Sequence, residues 1–259
     1  MRPLIDWRVG PLIGVLTDID DTLTTEGAIT PEALQALGAL KSAGLKVVPI
    51  TGRPLGWSRP FAATWPVDAL VAENGALALV PRAGALDTLY QQDAATRTEN
   101  FMRMQSVLAQ IEASVPGARR ARDSAGRETD IAIDHSEFTQ LPAAAIAQVQ
   151  DLMQAQGMRA TVSSIHINGW YGEHNKLAGA RWIVRELWGR DLDAERDRWV
   201  YVGDSTNDQL MFAHFSHSVG VANVRRFADR LTHAPRFITP SERGAGFAEL
   251  VQHLLRGRA

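Results

Sequence analysis

Three carboxylates in four positions close an apolar run at Gly14-Val15-Leu16-Thr17-Asp18-Ile19-Asp20-Asp21. Side chains along an extended backbone alternate faces, so Asp18 and Asp20 share one side where a strand gives way to a loop. Two carboxylates that close repel each other and resist desolvation unless a cation, a strong donor or a shared proton lies between them. A divalent metal suits that pair; on this stretch alone, an exposed acidic turn is the competing reading.

Three later stretches offer complementary chemistry. Val47-Val48-Pro49-Ile50-Thr51-Gly52-Arg53 is a second apolar run ending in a hydroxyl and a cation, Asn175-Lys176 opens a helix, and Trp199-Val200-Tyr201-Val202-Gly203-Asp204 delivers another acid, followed by Asn207 and Asp208. In an open α/β sheet, strand carboxyl ends and helix amino ends converge on one crevice, where such folds bind ligands. In order and in kind, these four stretches resemble the motifs of the haloacid dehalogenase superfamily of phosphohydrolases: an Asp-x-Asp-x-Thr strand end, a Thr or Ser strand end, a Lys, and an acidic Gly-Asp-x-x-Asn-Asp loop. The gap between the second and third motifs has room for an inserted cap of the αββαββ type, so the chain resembles the Cof-like and sucrose-phosphate-phosphatase-like branch.

The resemblance implies a set of roles. Asp18 is the expected nucleophile on phosphorus and Asp20 the acid that protonates the leaving oxygen and then the base that activates water. Asp at position 20 favours phosphatase or phosphomutase over dehalogenase or phosphonatase. Magnesium, a hard cation that takes about six oxygen ligands, is expected on the Asp18 and Asp204 carboxylates and the Asp20 carbonyl. Thr51 and Lys176 are expected on the phosphoryl group, with Gly52, Arg53 and Asn74 contributing to substrate binding and Asn207 and Asp208 in support. Where many relatives carry Gly after the second Asp, this chain has Asp21, which reads as an outward turn former in solvent ahead of a charge that perturbs the metal site.

Composition limits the alternatives. A chain of 259 residues, 45% hydrophobic, with a formal net charge of −2, can bury one large core or two modest ones and shows no excess of cations for nucleic acid or an anionic membrane. Without cysteine there is no disulfide, thiolate metal site or Cys nucleophile. The first ten residues do not read as a signal peptide and the apolar runs are too short to span a bilayer, so a soluble cytoplasmic protein is expected.

Apolar periodicity divides the chain into core residues 1–82, an inserted cap over 83–170 and a second core segment over 171–259. The first segment reads strand, helix from Pro31, strand over 45–50, helix from about Leu55, strand over 68–72, and a hairpin through Glu73-Asn74-Gly75 into 76–80. Pro81-Arg82-Ala83-Gly84 is expected to be a linker. The cap reads helix over 98–114, strands over 118–122 and 129–134, helix over 143–156, strands over 158–163 and 165–168, and a return linker over 169–172. This is an α+β layer. After it come a helix from Lys176, strands over 198–202 and 218–221, a helix over 225–231, an edge strand at Phe237-Ile238 and a closing helix. The whole predicts a doubly wound parallel α/β core with an inserted cap.

Within the cap, His166 and Asn168 alternate with Ile165 and Ile167 and share a face suited to a sugar's hydroxyls, or to solvent. Arg119, Arg120, Arg122 and Arg127 read equally as a site for a carboxylate or second phosphate and as a solvated edge. Asp130 and Asp134 are similar cases, and Trp170 and Tyr171 read as packing. The expected partner is a small phosphorylated metabolite, a sugar phosphate foremost; a phosphomutase and a non-catalytic phosphometabolite-binding regulator are the other readings.

Overall fold

The computed structural model describes residues 1–257. Six parallel strands form the central sheet in the order Arg2–Pro3, Phe237–Ile238, His217–Gly220, Trp199–Gly203, Gly14–Thr17 and Lys46–Pro49. Alternation sorts its side chains onto two faces. Val15, Val47, Val200 and Val202 pack with Leu37, Leu40, Phe247 and Leu250 on one side. Leu16, Val48 and Tyr201 pack with Ile183, Val184 and Met211 on the other. Each such side chain, fully removed from water, contributes about 1.5–3 kcal/mol. Helices on both faces of a parallel sheet make the doubly wound α/β architecture that the apolar runs predict.

Local sequence explains where the helices start. Thr30 accepts a 3.3 Å hydrogen bond from the Ala33 amide ahead of helix Pro31–Ser42, and Pro31 occupies the first helical position. Asn175 accepts at 2.9 Å from the Ala178 amide ahead of helix Lys176–Trp188, which closes on Gly189 in the left-handed region, φ 60°.

The inserted α+β layer is a four-stranded antiparallel sheet in the order Arg159–Val162, His166–Trp170, Ile131–Asp134 and Arg119–Arg120. Helices Ala94–Ser114 and Ala143–Ala155 supply Met104, Leu108, Ile111, Val149 and Met153 to its core. Among the described residues no helix is long and apolar enough to cross a membrane.

Several boundaries differ from the sequence expectation. Pro81-Arg82-Ala83-Gly84 is a hairpin end: strand Leu77–Arg82 turns at Ala83 and Gly84, φ 79°, into strand Ala85–Tyr90. These strands and Leu70–Ala72 form a three-stranded sheet beside the core. The alternation of the last strand breaks at Leu89-Tyr90, which hid it, and the next helix begins at Ala94 rather than Thr98. Phe237–Ile238 is not the edge, because Arg2–Pro3 pairs outside it. The segment expected as a helix over 225–231 is a 3-10 helix over Ala222–Arg230. The expected return linker is still strand at Gly169 and Trp170. A Cβ on Gly169 would lie 2.6 Å from the Met153 sulfur, so glycine is what admits the helix there.

Candidate active site

The carboxyl ends of the central strands bring the four chemical stretches together. Asp18 follows Gly14–Thr17 directly and its amide donates to Val202 O at 2.8 Å, locking it beside the strand that delivers Asp204. Thr51 follows Lys46–Pro49, and its amide is held by Val71 O at 2.9 Å. Lys176, 3% exposed at the first turn of its helix, reaches into this crevice.

Its ammonium is the pivot. Lys176 Nζ donates to Asp18 Oδ1 at 2.5 Å and to Asp208 Oδ1 at 2.7 Å. Burial alone would make that ammonium easier to deprotonate, but the two carboxylates outweigh it and raise its pKa. For Asp18 the balance is reversed: burial pushes its carboxyl up to about 7 against the pull of Lys176, with Asp208 and Asp20 adding repulsion. Asp204 is driven well above the ordinary carboxylate range by burial and by Asp18 and Asp208.

The site holds more negative charge than Lys176 offsets, and its acids are not equivalent. Ligand oxygens of Asp18, Asp204 and Asp208 lie within 4.8 Å of one another. Asp208 is committed: Oδ1 accepts from Lys176 and from the Tyr201 hydroxyl at 2.5 Å, and Oδ2 accepts from the Asp204 and Ser205 amides at 2.9 and 3.1 Å. Asp204 accepts at Oδ2 from Asn223 at 3.1 Å, and its Oδ1 is buried with no partner. A buried carboxylate oxygen left bare costs stability that a hard cation removes. The donor chemistry of Asp18 and Asp204 therefore fits a divalent metal such as magnesium, and that of Asp208 fits holding Lys176.

Asp20 faces the inserted layer. Arg53 Nε donates to its two oxygens at 2.9 and 3.2 Å, and Thr51 Oγ1 lies 3.5 Å away. The Arg53 guanidinium then reaches out of the core, to Asp123 at 3.2 Å and to Glu137 through both terminal nitrogens, at 2.6 and 3.3 Å. His166 Nε2 lies 2.9 Å from Glu137. Burial would raise the Glu137 carboxyl, but His166 and Arg53 outweigh it and hold it down at about 2. Between the layers lies a cavity of about 10 Å³ lined by Asp18, Asp20, Gly52, Arg53, Asn207 and the Ser163–His166 turn with Asn168. His166 and Asn168 thus face the crevice rather than solvent.

Other expected residues lie elsewhere. Asn74 does not line the cavity: its amide group donates to Asp130 at 3.1 Å, tying the core to the cap sheet. Asn207 lines the cavity but accepts from Ser205 at 2.9 Å and leaves Lys176 to Asp208. Asp21 takes a left-handed turn, φ 56°, yet it is not free in solvent, since Arg243 pairs with it at 3.1 Å. The four cap arginines do not cluster. Arg120 binds Glu112, Arg122 lies over the Phe138 ring and Arg119 is exposed. Arg127 is buried and binds Asp130, Asp123 and Gly52 O at 2.7, 3.1 and 2.9 Å. Asp134 accepts from the amides of Ser136, Glu137 and Phe138, setting the turn that carries Glu137. Trp170 and Tyr171 pack in the cap core.

Sequence reasoning missed Tyr201, Asn223, Asp123, Glu137 and Glu73. Tyr201 had a signal, a hydroxyl in a buried strand just before the acidic loop; the others sit in turns or 3-10 segments with no periodic pattern around them. Glycine permits two close approaches at the site. A Cβ on Gly203 would lie 2.5 Å from the Asp208 carboxylate that folds back over it. A Cβ on Gly179 would lie 2.6 Å from the Gly75 Cα, so the Lys176 helix docks on the core through bare backbone.

No curated protein matches this chain in sequence. A crystal structure of a Thermoplasma acidophilum protein has the same fold, with a TM-score of 0.73 at 14% identity, over 95% of this chain and 99% of that one. The sucrose-phosphatase of Synechocystis, solved with sucrose and phosphate, has a TM-score of 0.67 at 16% identity over 95% and 98%. A haloacid dehalogenase-like hydrolase from Bacteroides thetaiotaomicron has 0.63 at 15% identity over 94% and 99%. Residues 15–108, which carry Asp18, Asp20 and Thr51, match the family model of haloacid dehalogenase-like hydrolases. That match spans the first core segment and the start of the inserted layer, and the fold is shared with these structures along nearly the whole length of the chain.

Proposed function

We propose that the chain is a magnesium-dependent phosphatase that cleaves the phosphomonoester of a small metabolite, with sugar phosphates the foremost class. The observation that carries this reading is the Lys176 ammonium bridging Asp18 and Asp208 beside the uncommitted oxygen of Asp204. A merely structural ion pair would leave no bare buried oxygen at its side.

Asp18 attacks phosphorus and the ester P–O bond breaks, leaving an aspartyl-phosphate. Asp20 gives its proton to the departing alkoxide. Asp20 then takes a proton from water as that water attacks the aspartyl-phosphate, and P–O cleavage restores Asp18 and frees phosphate. Lys176 offsets charge on Asp18 and on the transferring phosphoryl group, and Thr51 donates to a phosphoryl oxygen. Magnesium held by Asp18, Asp204 and the Asp20 carbonyl would supply positive charge against the crowded anions. A cavity of about 10 Å³ holds little more than a water molecule, so the cap must move for substrate to enter, and Arg53 must then release Asp20 or carry it along.

Steady-state rates with magnesium on p-nitrophenyl phosphate and on a panel of phosphorylated sugars, acids and nucleotides test this. Turnover of the aryl phosphate and a preference among sugar phosphates is the expected result. Failure to hydrolyse any phosphomonoester overturns the proposal, and activity that depends on a bisphosphorylated activator identifies a phosphomutase instead.

A further inference from the structure

Every cation that reaches the crevice is already matched by carboxylates. Lys176 is held by Asp18 and Asp208. Arg53, with 6% of its side chain exposed, is shared by Asp20, Asp123 and both oxygens of Glu137. Arg127 is taken by Asp123, Asp130 and a backbone carbonyl. Glu137 also binds the His166 ring, the one other basic group on the cavity wall. What the cap presents to a leaving group is therefore Ser163, Ser164, Asn168 and His166, donors and acceptors without surplus positive charge, with Asp123 and Glu137 held on Arg53 and His166 behind them.

Resting on the phosphatase reading above, we infer that Glu137 is a specificity-determining residue: by occupying Arg53 and His166 it makes the cap wall accept an uncharged, hydroxyl-bearing leaving group and reject one carrying a carboxylate or second phosphate. An anionic substituent would meet no free cation, and to reach Arg53 it would have to displace Asp123 and Glu137, with like charges in a desolvated site repelling strongly. A hydroxyl can both donate to and accept from Asn168, His166 and the serines. Rejection here is built from repulsion as much as from fit.

The test uses matched esters that differ only in CH2OH against carboxylate: glucitol 6-phosphate against 6-phosphogluconate, and glycerol 3-phosphate against 3-phosphoglycerate. In the wild-type protein the neutral member of each pair should have the higher kcat/KM, by about 100-fold. Glu137→Gln frees positive charge on Arg53 and should shrink that ratio at least about tenfold. The ratio is internal to each protein, so a general loss of activity cancels. If Glu137→Gln does not fold, Asp123→Asn removes the other cap carboxylate from the same guanidinium and carries the same expectation. Equal rates within both pairs, or a preference for the acids, overturn the inference while p-nitrophenyl phosphate turnover leaves the phosphatase reading standing. No turnover of any ester, the aryl phosphate included, sinks both.

Discussion

Two buried groups of acids sit about the crevice, and they are finished to different degrees. At the seam between core and cap, Glu73 has both oxygens occupied, by the amides of Leu55, Glu128 and Thr129 and the Thr129 hydroxyl. Asp130 is likewise full, with Arg127 on one oxygen and Asn74 and Asn168 on the other. Burial pushes the carboxyls of both groups upward, but only in the crevice is one left incomplete: Asp204, crowded also by Asp18 and Asp208, has an oxygen with no partner. Satisfied buried charge holds parts together, whereas unsatisfied buried charge is tolerated where a ligand completes it.

The sharpest way to break that contrast is at the nucleophile. Asp18→Asn should lower kcat on p-nitrophenyl phosphate at least about 10³-fold while leaving the circular dichroism spectrum unchanged; retained turnover would remove Asp18 from the chemistry. Next comes the metal. Chelation should stop hydrolysis and magnesium should restore it, with the melting temperature of the wild type rising by several degrees on adding the ion. Asp204→Asn should melt above the wild type in chelator, having lost a crowded charge, and should show no shift with magnesium. A variant that still responds fully would show that Asp204 is no ligand.

At the satisfied seam the effect is on stability instead. Glu73→Gln replaces an acceptor of several amides with a group that must offer two donors, and should cost about 1–3 kcal/mol in urea unfolding. A smaller effect is expected at His174, whose ring is buried beside Trp170 with Nε2 unpartnered. Burial, with Arg159 adding to it, lowers its pKa from 6.5 to about 4. The unfolded chain therefore takes up the proton first, and stability should fall as pH drops from about 6.5 towards 4, by at most about 3 kcal/mol. His174→Phe should flatten that part of the pH profile; an unchanged slope would place the dependence elsewhere.

The crevice was legible in the sequence because each of its groups ends a strand or begins a helix, and those ends are where apolar runs stop. Asp18, Thr51, Lys176 and Asp204 stand at such ends, and the order of the four stretches, through the family they resemble, supplied their expected roles. The seam could not, because Glu73, Asp123, Arg127 and Glu137 lie in turns, and their partners are set by how two sheets stack rather than by any local period. The same limit explains Asn74, correctly placed in its turn and yet directed to Asp130, and the four cap arginines, whose closeness along the chain said nothing of one side chain being buried and three lying outside. Strand Ala85–Tyr90 was lost for a related reason: its pairing partner is obvious only once the Gly84 turn is known to be tight.

The glycine contact beneath the Lys176 helix has a consequence far out of proportion to its size. With Gly179 resting on Gly75, the helix cannot tolerate even one additional carbon there without lifting, and lifting would carry the ammonium off Asp18. An inert methyl group, remote from phosphorus and chemically blameless, would thus silence the protein by leverage alone.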